Sequence, residues 1–170
     1  PRLPVRIAAM DAYFGTVYPH ESQCSEAVEL PGGTPTEKAE FRDNLIADIA
    51  KVEQGMKIAL IGVVNPLIAA IRKRGGTCLP CDLQMERTHW GDPVEKDMEK
   101  VLDSADGVIC TGMTLSNGTF DRVIERVLER SIPLTVYAQT GSAVAARFVG
   151  AGITSLVAEP FPFSQFSANA

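Results

Sequence analysis

Apolar and polar positions alternate between two spacings along most of the chain. Continuous apolar runs of strand length recur at "KIALIG" (57–62), "TCLPCD" (77–82), "DGVICTG" (106–112), "PLTVYAQ" (133–139) and "ITSLVAE" (153–159). Unbroken runs of this kind suit strands buried on both faces of a parallel sheet. Between them the spacing becomes helical. Phe120, Val123, Ile124, Val127 and Leu128 follow the i, i+3, i+4, i+7, i+8 pattern of an apolar stripe. Asn65-Pro66 predicts a helix start with Asn as cap and Pro in the first turn, running to about Arg74 and stopping at Gly75-Gly76. Asp92-Pro93-Val94-Glu95 predicts another, with Val94, Met98, Val101 and Leu102 as its stripe. Ser142 is placed to cap a short helix ending at Gly150.

Strands joined by helical crossovers predict an α/β fold: an open, mainly parallel five-stranded Rossmann-like sheet with helices on both faces. Pro80 lacks an N–H and belongs on an edge strand, which favours the order 2-1-3-4-5. The switch point then lies between the first and third strands, with Gly62–Pro66 and Thr111–Thr119 on either side. Residues 1–55 read differently. "VRIAAMDAYFG" predicts a helix with Ile7, Met10 and Phe14 on one side, "PGGTP" a loop, and 36–52 an amphipathic helix capped by Thr36. This stretch cannot build its own core. The expected organisation is a helical extension, 1–55, packing on a Rossmann-like domain, 56–170.

Small polar residues crowd the strand–helix junctions. Helix N-termini carry unpaired N–H groups and about half a positive charge. Three starts, near Asn65, Thr119 and Ser142, are expected to converge at one sheet edge and hold a small anionic metabolite. The candidate ligand-binding residues are Gly62, Asn65, Asp82, Thr111, Gly112, Thr114, Asn117, Gly118, Thr119, Gly141 and Ser142. Asp82 falls 20 residues after Gly62, where a ribose-binding acid would sit, but the turn is G-V-V-N-P rather than G-x-G-x-x-G. An S-adenosyl or nucleotide-like substrate, with Asp82 on the ribose, is therefore the enzymatic alternative. A structural scaffold in a homo-oligomer is the third reading.

Composition narrows the partners. The 170 residues carry a net charge of −5 and no basic block, which argues against nucleic acid or an anionic membrane surface. No apolar run reaches the ~20 residues of a membrane span, and the start lacks a signal peptide. It also lacks an initiator Met, the mark of a processed or trimmed chain. Four cysteines without a secretion signal predict a cytoplasmic protein with free thiols. Cys78-Leu-Pro-Cys81 has the C-x-x-C spacing of zinc sites, and Cys24 and His20 are its candidate partners for a divalent metal ion. On a straight strand two residues three apart face opposite ways, so both thiols reach one metal only if Pro80 bends the chain. Buried structural roles for Cys78 and Cys110 are the competing reading. A redox dithiol is disfavoured because the pair is not at a helix start. His89-Trp90 reads as a surface pair, and no G-x-S-x-G elbow occurs.

Thr111-Gly112-Met113-Thr114-Leu115-Ser116-Asn117-Gly118-Thr119, after a strand and before a helix, closely resembles the T-G-x-T-L-x-N-G-T motif of the heavy-metal chelation domain family. "KIALIGVVNPLI" resembles that family's first strand and helix. "VYAQTGSAV" resembles its later G-P-S segment, with Thr140 and Gly141 where Gly and Pro are usual. "RIAAMDAYFG" resembles the last helix of the α/β domain that often precedes it, with Asp11 where Asn is common. The likeness covers about residues 56–160 well and 1–20 loosely, and implies that a whole front domain is missing ahead of this stretch. It implies a Rossmann-like fold, metal chelation, a biosynthetic or metal-handling setting, and the motif loop as ligand site. No catalytic residue carries over.

Overall fold

A computed structural model describes residues 2–159; the part of the domain reading that falls on 160–170 lies outside them. Five strands, β1 (Lys57–Ile61), β2 (Thr77–Cys81), β3 (Gly107–Thr111), β4 (Leu134–Ala138) and β5 (Ser155–Ala158), form one sheet in the order β2-β1-β3-β4-β5. Every pairing is parallel. The helices are α1 (Leu3–Val17), α2 (Pro35–Ile49), α3 (Asn65–Lys73), α4 (Met98–Ser104), α5 (Met113–Asn117), α6 (Phe120–Arg130) and α7 (Ser142–Ala145). The fold is an open parallel α/β sheet.

Two cores sit on opposite sheet faces. On one, Ile58, Leu60, Cys78 and Ile109 pack against Ile46 of α2 and Leu67, Ile68 and Ile71 of α3. On the other, Ala59, Ile61, Cys81, Val108 and Cys110 pack against Val101 and Leu102 of α4, Val123 and Val127 of α6, and Val144 of α7. Alternation along each strand produces this split, because successive side chains point to opposite faces. Ile7 and Phe14 of α1 rest against the second core, while none of the residues of α1 is buried.

Several local signals resolve differently from their sequence reading. Thr34, not Thr36, caps α2. Pro35 takes the first turn, Thr34 Oγ1 accepts from the Glu37 amide at 3.3 Å, and the Glu37 carboxylate accepts from the Thr34 amide at 2.8 Å. This reciprocal pairing is the capping box. Asp92–Glu95 does not open a helix. The Glu95 amide donates to the Pro80 carbonyl at 2.9 Å and the Asp82 amide to the Glu95 carbonyl at 3.1 Å. The segment thereby extends alongside the exposed edge of β2, and the helix begins only at Met98, with Asp97 as cap. Covering an unpaired edge outweighs the local capping preference. Val64 rather than Asn65 is the cap residue of α3. The polar run after β3 holds a one-turn helix, α5, closed by Gly118 with φ of 81°.

Candidate functional site

A crevice of about 290 Å³ opens at the carboxyl ends of the strands, between α2 and the segments that follow β1, β3, β4 and β5. Ile46, Val64, Ala138 and Val157 supply apolar walls; Arg42, Thr111, Gln139 and Glu159 supply polar ones. Ligands of open α/β sheets bind in this region. Two glycines allow strand ends to close around it. Gly62 adopts φ of 83°, and a Cβ there would collide with Thr111 Cγ2. A Cβ on Gly112 would stand 2.7 Å from that of Ala138. The Tyr137 hydroxyl crosses from β4 and donates to the Gly62 carbonyl at 2.8 Å, tying the two strand ends together. Burial raises its pKa.

The charged end of the crevice is a network. Arg42 pairs with Asp43 Oδ1 at 2.9 Å and reaches Glu159 at 3.5 Å. Gln139 Nε2 donates to Glu159 at 2.8 Å. Asp43 is 1% exposed, and among the described residues its Oδ2 has no hydrogen-bond partner. Burial pushes the Asp43 carboxyl pKa up, Arg42 opposes this, and Glu159 adds to it. No motif pointed to this group. Its one sequence signal is charge where α2 should be apolar: Lys38 and Asp43 are buried beside Ile46 and Ala47.

Of the residues singled out from sequence, Thr111 and Gly112 line the crevice. Gly62 adjoins it through Tyr137. The others serve the chain itself. Asp82 Oδ2 accepts from the Val63 amide at 3.1 Å, and Oδ1 accepts from Gln84 and Met85 at 2.8 and 3.0 Å. Partial burial raises the Asp82 pKa, but these backbone donors outweigh it and the net shift is downward. The carboxylate therefore closes the turn after β1. Asn65 Oδ1 accepts from the His89 amide at 2.9 Å. Thr114 is buried and donates to the Thr111 carbonyl at 2.8 Å. Asn117 Oδ1 accepts from both the amide and hydroxyl of Thr119 at the far end of α5. Gly118 there lines a second hollow, beside Leu3 and Ile7 of α1. Of the three helix starts, Val64 at the head of α3 lines the crevice, Gly118 ahead of α6 lines the second hollow, and the Gly141 amide ahead of α7 is taken by Asp11.

At α7 the expected anion is present as a side chain. Asp11 of α1 accepts from the amides of Gly141 and Ala143 at 2.8 Å and of Val144 at 3.3 Å. Ser142 Oγ lies 2.9 Å from His20 Nε2.

The thiols do not assemble a metal centre. Cys78 and Cys81 lie on opposite faces of β2, in different cores, because β2 stays straight through Pro80. Burial pushes their pKa values to about 12 and about 11, and that of Cys110 to about 12. Cys24 is exposed, and its neighbour His20 faces Ser142. Among the described residues no group of three or more His, Cys, Asp or Glu is placed to hold a metal ion. The proposed ligand set therefore does not fit a divalent metal. No helix among the described residues is long and apolar enough to cross a membrane.

No curated protein matches the chain in sequence. Among solved structures it is similar to LysN, an alpha-aminoadipate aminotransferase from Thermus thermophilus, with 15% identity and a TM-score of 0.52 over 98% of this chain and 50% of that one. It is also similar to MppP, solved after soaking with the product 2-ketoarginine, with 17% identity and a TM-score of 0.48 over 96% and 47% of the two chains. The chain spans about half the length of each, and at 15% identity the likeness to LysN speaks to fold alone. A family model described as "Putative heavy-metal chelation" matches residues 44–155, which takes in β1 to β4 and the T-G-M-T-L-S-N-G-T motif, and the chain belongs to that family.

Proposed function

We propose that this protein binds a small organic metabolite in the crevice between α2 and the carboxyl ends of β1, β3, β4 and β5, within a biosynthetic or metal-handling pathway. The observation that carries this reading is the crevice itself: a concave space of about 290 Å³ with apolar walls and a charged network at one end. That combination is the usual composition of a small-molecule site. Family membership supports the metal-handling setting. The buried, high-pKa thiols argue that any metal arrives already held by the metabolite rather than by protein sulfur. The anion cradles at Val63 and at α7 are filled by Asp82 and Asp11, so the ligand is expected to use the crevice's side chains instead of helix N-termini.

Native mass spectrometry of the purified chain, set against its denatured mass, tests this. The expected result is an added organic mass that is lost in Thr140→Trp, a variant that fills the crevice mouth. Retention of the mass in that variant would overturn the crevice as its site. A mass matching a bare metal ion, released by chelator, would overturn the metabolite.

A further inference from the structure

We propose that the segment following β5 is an occupant of the crevice: Phe161 and Phe163 seat their rings between its apolar walls, and a metabolite enters by displacing them. The docking stands on the crevice walls and on the point where the chain leaves the sheet. The competition rests on the metabolite reading above.

β5 delivers the chain to the crevice rim and holds it there. The Glu159 amide donates to the Ala138 carbonyl at 3.0 Å, so its backbone is still paired with the end of β4. The Glu159 carboxylate accepts from Gln139 Nε2 at 2.8 Å and faces Arg42 at 3.5 Å. Glu159, Ala138, Gln139 and Arg42 all line the crevice, as does Val157 two residues earlier. The chain that follows therefore starts at the rim. An extended chain advances at most about 3.6 Å per residue, so Phe161 stays within about 7 Å of Glu159 and Phe163 within about 14 Å. Pro160 and Pro162 disfavour helical dihedrals at Glu159 and Phe161, which keeps that reach long.

The chemistry of the two sides matches. Residues 160–170 carry no charged side chain and hold three of the chain's seven phenylalanines, Phe161, Phe163 and Phe166. The walls formed by Ile46, Val64, Ala138 and Val157 are apolar. Arg42 and Glu159 face each other at the rim, and an uncharged occupant leaves that pair intact. Attachment to the same chain gives the segment an effective concentration on the order of millimolar, so even a weak contact keeps the crevice filled.

The test uses the full chain with ¹³C-labelled Ile, Leu and Val methyl groups, as wild type and as the double variant Phe161→Ser, Phe163→Ser. The expected result is nuclear Overhauser cross peaks from phenyl protons to the methyls of Ile46, Val64 and Val157. In the double variant these cross peaks vanish and the three residues' methyl signals move, while Ile58, Leu67 and Val123 in the two cores keep their positions. Crevice methyls without such cross peaks, and unmoved in the variant, overturn the docking. Cross peaks that arise only between differently labelled chains in a mixed sample overturn self-occupancy and give the crevice to a second copy's segment. An organic mass seen by native mass spectrometry should occupy a severalfold larger share of the double variant than of the wild type. An unchanged share overturns the competition. Cross peaks present with no organic mass on either form count against the metabolite reading alone and leave the docking in place.

Discussion

The Asp11 carboxylate accepts a 2.8 Å hydrogen bond from the amide of Ala143, joining the first helix of the chain to a helix start 132 positions later. Gly141 and Val144 donate to the same side chain. α1 buries none of its residues, so this polar cap, with Ile7 and Phe14, is what seats the helix on the sheet domain. Asp11→Ala is expected to destabilise the protein by about 1–2 kcal/mol, the cost of losing a helix cap. Hydrogen exchange in α1 and at residues 141–144 should rise together. A stability change within about 0.5 kcal/mol, measured by urea unfolding, would mean the cap does not seat the helix.

Asp82 stands in the same relation to the turn after β1. Its three backbone donors hold its pKa below the ordinary carboxylate value. A depressed folded-state pKa contributes stability above the unfolded value of about 3.9, which is lost as pH falls through the folded one. Asp82→Asn removes that contribution. The difference in urea midpoint between wild type and variant should be full at pH 7 and shrink toward zero in acid. A midpoint difference that persists unchanged in acid would contradict the charge-based account.

Asp43 has the opposite sign. Its pKa is raised, so its contribution to stability is present below the unfolded value and declines as pH rises through the folded one. At neutral pH an ionised Asp43 burdens the fold with an unpaired buried oxygen. Asp43→Asn is expected to match or exceed the wild type in thermal stability at pH 7.5, by up to about 1 kcal/mol, and to lose that advantage near pH 4. A variant strongly destabilised at pH 7.5 would show instead that the Arg42–Asp43 ion pair dominates.

The thiols should report their burial directly. In the folded protein Cys24 is exposed and Cys78, Cys81 and Cys110 are buried with pKa values of about 11 to 12. One thiol equivalent is expected to react quickly with a disulfide reagent in native buffer, and all four after unfolding in guanidinium. Cadmium should not protect Cys78 and Cys81 from alkylation, since the sheet separates them. Joint protection of that pair would require β2 to bend at Pro80.

Much of the fold was legible along the chain because its signals are local. Continuous apolar runs marked all five strands, and Pro80 marked the edge that set the order β2-β1-β3-β4-β5. The motif from Thr111 to Thr119 carried the family. Residue spacing on a strand already warned that Cys78 and Cys81 face apart. Tertiary structure decided what each polar group does. Asp82 stands where the enzymatic alternative needs a ribose-binding acid, yet it bonds a turn that only the sheet brings beside it. Asp92–Glu95 carries every mark of a helix start, yet the open edge of β2 claims its backbone. Asp43 carried no motif, and its burial beside Arg42 arises from how α2 packs against α3 and β4. Periodicity and capping depend on neighbours within a few residues, whereas a carboxylate's partner is whichever donor the fold places within hydrogen-bonding reach, and folding can draw that donor from anywhere in the chain.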